Sequence, residues 1–235
     1  METLPFFLDV GTGNALLLLH GNGEDHTYFS KQIAVFSERY RVVAVDTRGH
    51  GQTPRGGAPF TLSQFAEDLK ALLDALSIQR ADLLGFSDGG NIALLFALRY
   101  PDCVRRLILA GANLTPTGMK TSLWFVVWRD YLHAGIASFF NPKWRHQREL
   151  SALMALQPHI PVRELRKLQT PTLVLAGTQD VIRERHTRRI ASALPHATLL
   201  FLTGGHNLAQ ESPVLFNRTV LAFLSQGDIA ESPQI

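Results

Sequence analysis

Six short apolar runs recur along the chain, each bounded by turn-forming residues: ALLLLH (15–20), RVVAVD (41–46), ADLLGF (81–86), RLILAG (106–111), TLVLAG (172–177) and ATLLFL (197–202). Runs this short and this uniformly apolar suit strands buried on both faces rather than strands with one wet side. Between most of them lie longer segments of helical period. In TLSQFAEDLKALLDAL (61–76), Leu62, Phe65, Leu69, Leu72, Leu73 and Leu76 fall on one stripe. Thr61 or Ser63 is placed to cap its start, and Pro101 to end the helix that follows Ser87. Such alternation predicts an α/β fold, a mostly parallel central sheet with helices on both faces.

The spacing breaks once. Roughly sixty residues separate the runs at 106–111 and 172–177, where the other crossovers need roughly twenty to thirty-five. The excess contains WFVVWRDYL and ELSALMALQ, both of helical character. The chain therefore reads as a single domain over 1–235, with a core at 1–112 and 169–235 and a helical cap at 113–168. The C-terminal SQGDIAESPQI is polar and is expected to fray.

With 46% hydrophobic and 18% charged residues, the chain can bury a large core without metal or disulfide support. Its single cysteine, Cys103, forms no internal disulfide, and no Cys/His cluster has zinc-ligand spacing. A reducing, cytoplasmic setting and no structural metal are expected. METLPFFLDV carries Glu2, lacks a basic run, and is apolar over too short a stretch for an export signal or membrane span. The net charge of +3 comes from dispersed Lys and Arg, which argues against nucleic acid as a partner. Oligomeric state leaves no trace in the sequence. Gly11-Thr12-Gly13 lacks a third glycine before a helix and reads as a hairpin turn beside Asn14 rather than a dinucleotide loop.

Gly85-Phe86-Ser87-Asp88-Gly89 fits G-x-S-x-G between a buried strand and the helix NIALLFALRY. A serine at so tight a turn takes a strained backbone and needs small neighbours, which Gly85, Gly89 and Gly90 provide. The turn lifts its hydroxyl clear of the sheet at a helix N-terminus, where backbone N–H groups favour negative charge. A glycine-rich turn with serine as N-cap would read the same in isolation. A serine nucleophile also needs a histidine to take its proton and a carboxylate to orient that histidine. TLVLAGTQD delivers Asp180 past one strand, and LLFLTGGHN delivers His206 past the next. The order Ser87, Asp180, His206, each after a successive buried strand, matches the triad order of one fold.

That order resembles the α/β-hydrolase superfamily along nearly the whole chain, and two further motifs extend the likeness. LLLLHGNGED is similar to the family's oxyanion loop, which implies that the backbone N–H of Asn22, with that of Asp88, faces the tetrahedral oxyanion. VVAVDTRGHGQT resembles the strand-end DxRGxGxS, with Thr53 in place of serine. Asn113 follows the strand where some relatives carry the acid, and an asparagine supplies no charge, which favours Asp180. His20 reads more readily as a satisfied structural histidine than as a group that touches substrate.

GFSDGGNIALLFALRYPDCVRRLILAGANLTPTG is most similar to the small-capped branch that includes valacyclovir hydrolase and biphenyl-hydrolase-like esterases. The resemblance implies a serine hydrolase of small carboxylic esters or related acyl compounds, acting through an acyl-enzyme without metal or organic cofactor. In that branch an acidic cap residue accompanies acceptance of an α-amino group, and Asp130 is the only aspartate of the insert. Eight Lys or Arg (Lys120, Arg129, Lys143, Arg145, Arg148, Arg163, Arg166, Lys167) stand in the cap against Asp130, Glu149 and Glu164. This excess either steers anionic substrates or forms a solvated surface. Trp124, Trp128 and Tyr131 recur at helical spacing, to line an acyl pocket or to hold the cap down. The same residues would also serve carbon–carbon bond or lactone hydrolysis. A ligand sensor on a hydrolase fold is the reading of another class, and it predicts an unreactive serine.

Overall fold

The computed structural model describes residues 4–227, so the expected fraying of the tail falls mostly outside the described residues. Seven strands form one sheet: β1 (Phe7–Val10), β2 (Ala15–Leu19), β3 (Arg41–Val45), β4 (Ala81–Phe86), β5 (Val104–Ala110), β6 (Thr172–Gly177) and β7 (Ala197–Leu202), in the order β1-β3-β2-β4-β5-β6-β7. All neighbours are parallel except β1 and β3. The helices are α1 (Ser30–Phe36), α2 (Leu62–Ala75), α3 (Asp88–Arg99), α4 (Thr121–Phe140), α5 (Trp144–Leu156), α6 (Val162–Leu165), α7 (Glu184–Ala193), α8 (Leu208–Glu211) and α9 (Pro213–Leu224).

Each face of the sheet closes its own core. Alternate strand residues such as Leu17, Val43, Leu83 and Leu107 meet α2 and α3, whose Leu69, Leu72 and Phe96 are wholly buried. The intervening Leu16, Val42, Leu84 and Ile108 meet α1 and α9 through Phe36 and Phe216. Thr61 caps α2, its hydroxyl accepting the Gln64 N–H at 3.1 Å, and the predicted stripe faces inward except for half-buried Leu76.

Three sequence expectations need correction. Strand β1 joins the sheet without belonging to the six apolar runs, because it is an edge strand with only partial burial. The turn at Gly11–Gly13 is no hairpin: β3 lies between β1 and β2, and both glycines have positive φ where the chain passes under the Ser37–Tyr40 backbone. Strand β7 is not buried on both faces. As the other edge strand it alternates half-buried and exposed positions, with Leu200 turned to solvent.

Between β5 and β6 the chain builds α4, α5 and α6, with α4 and α5 packed on each other. Several bonds fasten this segment to the strand ends: Arg55 pairs with Glu149 at 2.7 Å, the Leu62 N–H donates to Gln157 Oε1, and the Ile160 N–H donates to the Leu114 carbonyl. Among the described residues, no helix is long and apolar enough to cross a membrane.

Candidate active site

Strand β4 ends at Phe86 and α3 begins at Asp88, so Ser87 alone turns the chain. Its φ of 52° and ψ of −119° lie in a region that side chains avoid at a cost of about 1–3 kcal/mol. The turn is possible because the chain closes on itself. A Cβ on Gly85 would stand 2.2 Å from the Gly89 carbonyl, and one on Gly89 would stand 2.1 Å from the Leu19 carbonyl. Gly90 is less constrained, its Cβ meeting Ala112 Cβ at 3.0 Å. The Ser87 N–H donates to the Ala110 carbonyl at 2.8 Å, which ties the turn to β5.

The loops after β6 and β7 bring the other two residues together. Ser87 Oγ lies 3.1 Å from His206 Nε2, and His206 Nδ1 lies 2.7 Å from Asp180 Oδ1. Asp180 is buried, and its Oδ1 also accepts the Ile182 N–H at 2.9 Å, so the carboxylate is held in place. The short bond to an acceptor-only carboxylate assigns the proton to Nδ1, leaving Nε2 free to accept from the serine hydroxyl. Phe86 packs on the His206 ring at 4.9 Å and stacks on Tyr28 at 4.4 Å.

Asn22 and Asp88 stand beside the serine, and their side chains bond: Asn22 Nδ2 donates to Asp88 Oδ2 at 2.9 Å and to the Leu150 carbonyl of α5 at 3.1 Å. This amide therefore joins the β2 loop to the start of α3 and to the segment above. Asp88 also accepts from Asn91 Nδ2 at 3.2 Å, and burial raises its pKa. Asn91 in turn exchanges bonds with Asn113, which gives that asparagine a structural place after β5.

A cavity of about 310 Å³ opens on Ser87 and His206. Its apolar wall is Phe86, Met119, Leu123, Met154, Val181 and Ile182, and its polar lining includes Asn22, Glu24, Asn113, Gln157 and Asn207. Trp124, Trp128 and Tyr131 are absent from this wall, which corrects the expected acyl pocket. They stack in sequence at 5.8 Å steps and pack with Met119, Val127, Ala155 and Ile182, holding α4 to α5 and to the loop after β6. Helix α4 presents Leu123 to the cavity instead, one residue before the aromatic stripe. Leu123, Met119 and Met154 carried no signal in the sequence, since which face of a cap helix looks down is decided by tertiary packing.

The cap's charges also lie elsewhere. Arg145 and Arg148 line a separate cavity of about 680 Å³ with Arg55, Glu149 and Tyr131, and Asp130 is half-buried and paired with the exposed Arg129 at 2.8 Å. His20 is structural: it is buried, donates from Nδ1 to the Gly21 carbonyl at 2.7 Å and accepts the Thr47 N–H at Nε2. Burial lowers its pKa to about 4, so it stays neutral. Thr53 replaces serine without loss, its hydroxyl accepting the Phe6 N–H and donating to the Asp46 carbonyl, both at 2.7 Å. Asp25, His26 and Asp46 bring metal-type ligand atoms within 4.8 Å of one another. Each is already engaged: Asp46 accepts from His26 and the Gln52 N–H, and Asp25 accepts from Thr27, so the group fastens the loop.

A hydroxyl, an acceptor imidazole and a fixed carboxylate in line, opening on a partly apolar cavity, suit nucleophilic attack on an acyl carbon. The family model described as alpha/beta hydrolase fold matches residues 14–151. The 2-hydroxymuconate semialdehyde hydrolase of Pseudomonas sp. strain CF600 is 31% identical, over 82% of this chain and 70% of its own length. A protein assigned as carbamate hydrolase RutD in Caulobacter sp. strain K31 is 29% identical, over 89% of this chain and 90% of its own. Among solved structures, a thermophilic esterase from Thermogutta terrifontis superposes with a TM-score of 0.76 at 25% identity, covering 94% of this chain and 93% of that one.

Proposed function

The chain belongs to the α/β-hydrolase fold family, with hydrolases among its relatives, and from that membership we propose a serine hydrolase that cleaves a small carboxylic ester through an acyl-enzyme. The observation that carries this reading is the pair of bonds from Ser87 Oγ to His206 Nε2 and from His206 Nδ1 to Asp180 Oδ1, at the floor of a cavity. Ser87 Oγ attacks the acyl carbon while His206 Nε2 takes its proton. Asp180 keeps the ring in the required tautomer and stabilises its charged form. The backbone N–H groups of Asn22 and Asp88 hold the oxyanion, where removing one donor costs about 3 kcal/mol of barrier in comparable sites. Collapse expels the alcohol with the proton from His206. Water, deprotonated by the same histidine, then releases the acid and restores Ser87.

The Thermogutta terrifontis esterase supports the ester reading, and the RutD likeness extends it to carbamates as related acyl compounds. A second reading, carbon–carbon bond hydrolysis, draws on the 2-hydroxymuconate semialdehyde hydrolase. A panel of p-nitrophenyl esters from acetate to decanoate, with a vinylogous diketone included, separates the two. The ester reading expects turnover of the shorter esters by the wild type and background rates from Ser87→Ala. Turnover of the diketone alone would favour the second reading. The lone Cys103 supports a cytoplasmic setting for this activity.

A further inference from the structure

The cavity above Ser87 has a one-sided charge inventory. Among the described residues its lining holds two carboxyl groups, Glu24 and Asp88, and no lysine or arginine. Asp88 is accounted for, since the amides of Asn22 and Asn91 both donate to it. Glu24 is different. Its Oε2 accepts the Gly21 N–H at 3.0 Å, while among the described residues no bond or ion pair engages Oε1, and the carboxyl stands half-buried in the same cavity as the nucleophile.

A half-buried carboxylate facing a partly apolar cavity loses water without gaining a lysine or arginine partner, and either a proton or a cation must compensate. The protein's own response is the proton: burial pushes the Glu24 pKa up to about 7, even though the Gly21 N–H and His206 both pull it down. The turn does not require a charge here. The Glu24 N–H already closes it on the Gly21 carbonyl, and a neutral carbonyl would serve the Gly21 N–H as well. The cap's excess of basic residues does not reach this cavity, because Arg145 and Arg148 face the other one. Among the described residues, a substrate anion would meet no lysine or arginine above Ser87.

We propose that Glu24 is a specificity-determining residue whose carboxylate binds a protonated amine on the acyl or alcohol part of the ester cleaved at Ser87. This inference rests on the serine-hydrolase reading and names its substrate class, a small amino-bearing ester. A bound ammonium supplies the missing counter-charge and donates to the open Oε1 in a charge-assisted bond, the stronger kind when water is excluded. The cavity of about 310 Å³ limits the amine to a short chain from the scissile carbonyl.

The test compares ethyl hexanoates that carry a primary amine at successive carbons with isosteres that carry methyl at the same carbon. Values of kcat/KM are taken for the wild type and for Glu24→Gln, which keeps an acceptor for the Gly21 N–H and removes only the charge. Dividing the amine-to-methyl ratio of the wild type by that of the variant cancels the amine's intrinsic effect on ester reactivity. At one or more positions this quotient is expected to reach about tenfold or more, as for a single charge-assisted contact. A quotient of one at every position overturns the proposal, and equal losses on both members of each pair assign Glu24 a structural role only. Titration of Ser87 with a fluorophosphonate in the same preparations reports separately on the nucleophile. Full labelling with a quotient of one sinks the amine proposal alone, whereas absent labelling of folded protein sinks the hydrolase reading beneath it.

Discussion

At Ser87 the backbone is held in a conformation that opposes folding, and the surrounding residues keep it there. Gly111 shows how closely. Its φ is +65°, and a Cβ there would stand 2.7 Å from His206 Cε1 and 2.9 Å from Nδ1, so the floor under the imidazole is a glycine for two independent reasons. Gly111→Ala is expected to cost about 1–2 kcal/mol from the left-handed backbone alone. By pushing the ring off Ser87 Oγ it should also lower kcat on the order of a hundredfold, the usual penalty for a misplacement near 1 Å. Thermal melts and ester kinetics check both, and an unchanged kcat would contradict the contact. Ser87, Asp180 and His206 were legible as candidates because each lies just past an apolar strand run, where chain order and local spacing fix position. Glu24 was not. It sits within a loop motif whose other residues drew attention, and only the folded cavity reveals that, among the described residues, no lysine or arginine lines the space it faces.

Among the elements, the central strands and the α2 stripe were readable because burial is written into their own composition: Leu62, Phe65, Leu69, Leu72 and Leu73 all point inward. Edge elements were harder. Strand β1 is held by pairing with β3, a long-range contact with no local signature, and β7 looks like a central strand although one face is wet. The cap posed a different problem. Helix α4 is apolar around most of its circumference, with Phe125, Leu132, Ile136, Phe139 and Phe140 exposed, so its periodicity does not say which side faces the sheet. The aromatic stripe of Trp124, Trp128 and Tyr131 went to packing α4 on α5, and the cavity took Leu123 instead.

For the molecule as a whole, buried ionisable groups set how stability responds to pH. His20 and His186 have pKa values lowered by burial from 6.5 to about 4, so the stability they confer is present above pH 6.5 and lost as pH falls towards 4. Glu24 works in the opposite sense. Its pKa is raised from 4.5 to about 7, so its contribution is present below pH 4.5 and fades as pH rises to 7. Glu24→Gln should therefore gain on the wild type between pH 4.5 and 7.5, by about 1 kcal/mol once partial exposure is discounted. Urea unfolding at the two ends of that window measures the gap, and a constant difference would contradict the burial argument. The proposed nucleophile Ser87 is tested most directly by intact-mass analysis after treatment with a fluorophosphonate. A single adduct is expected, mapped to Ser87 and lost in both Ser87→Ala and His206→Ala. A folded wild type that takes up no label, or an adduct that persists in Ser87→Ala, would contradict it.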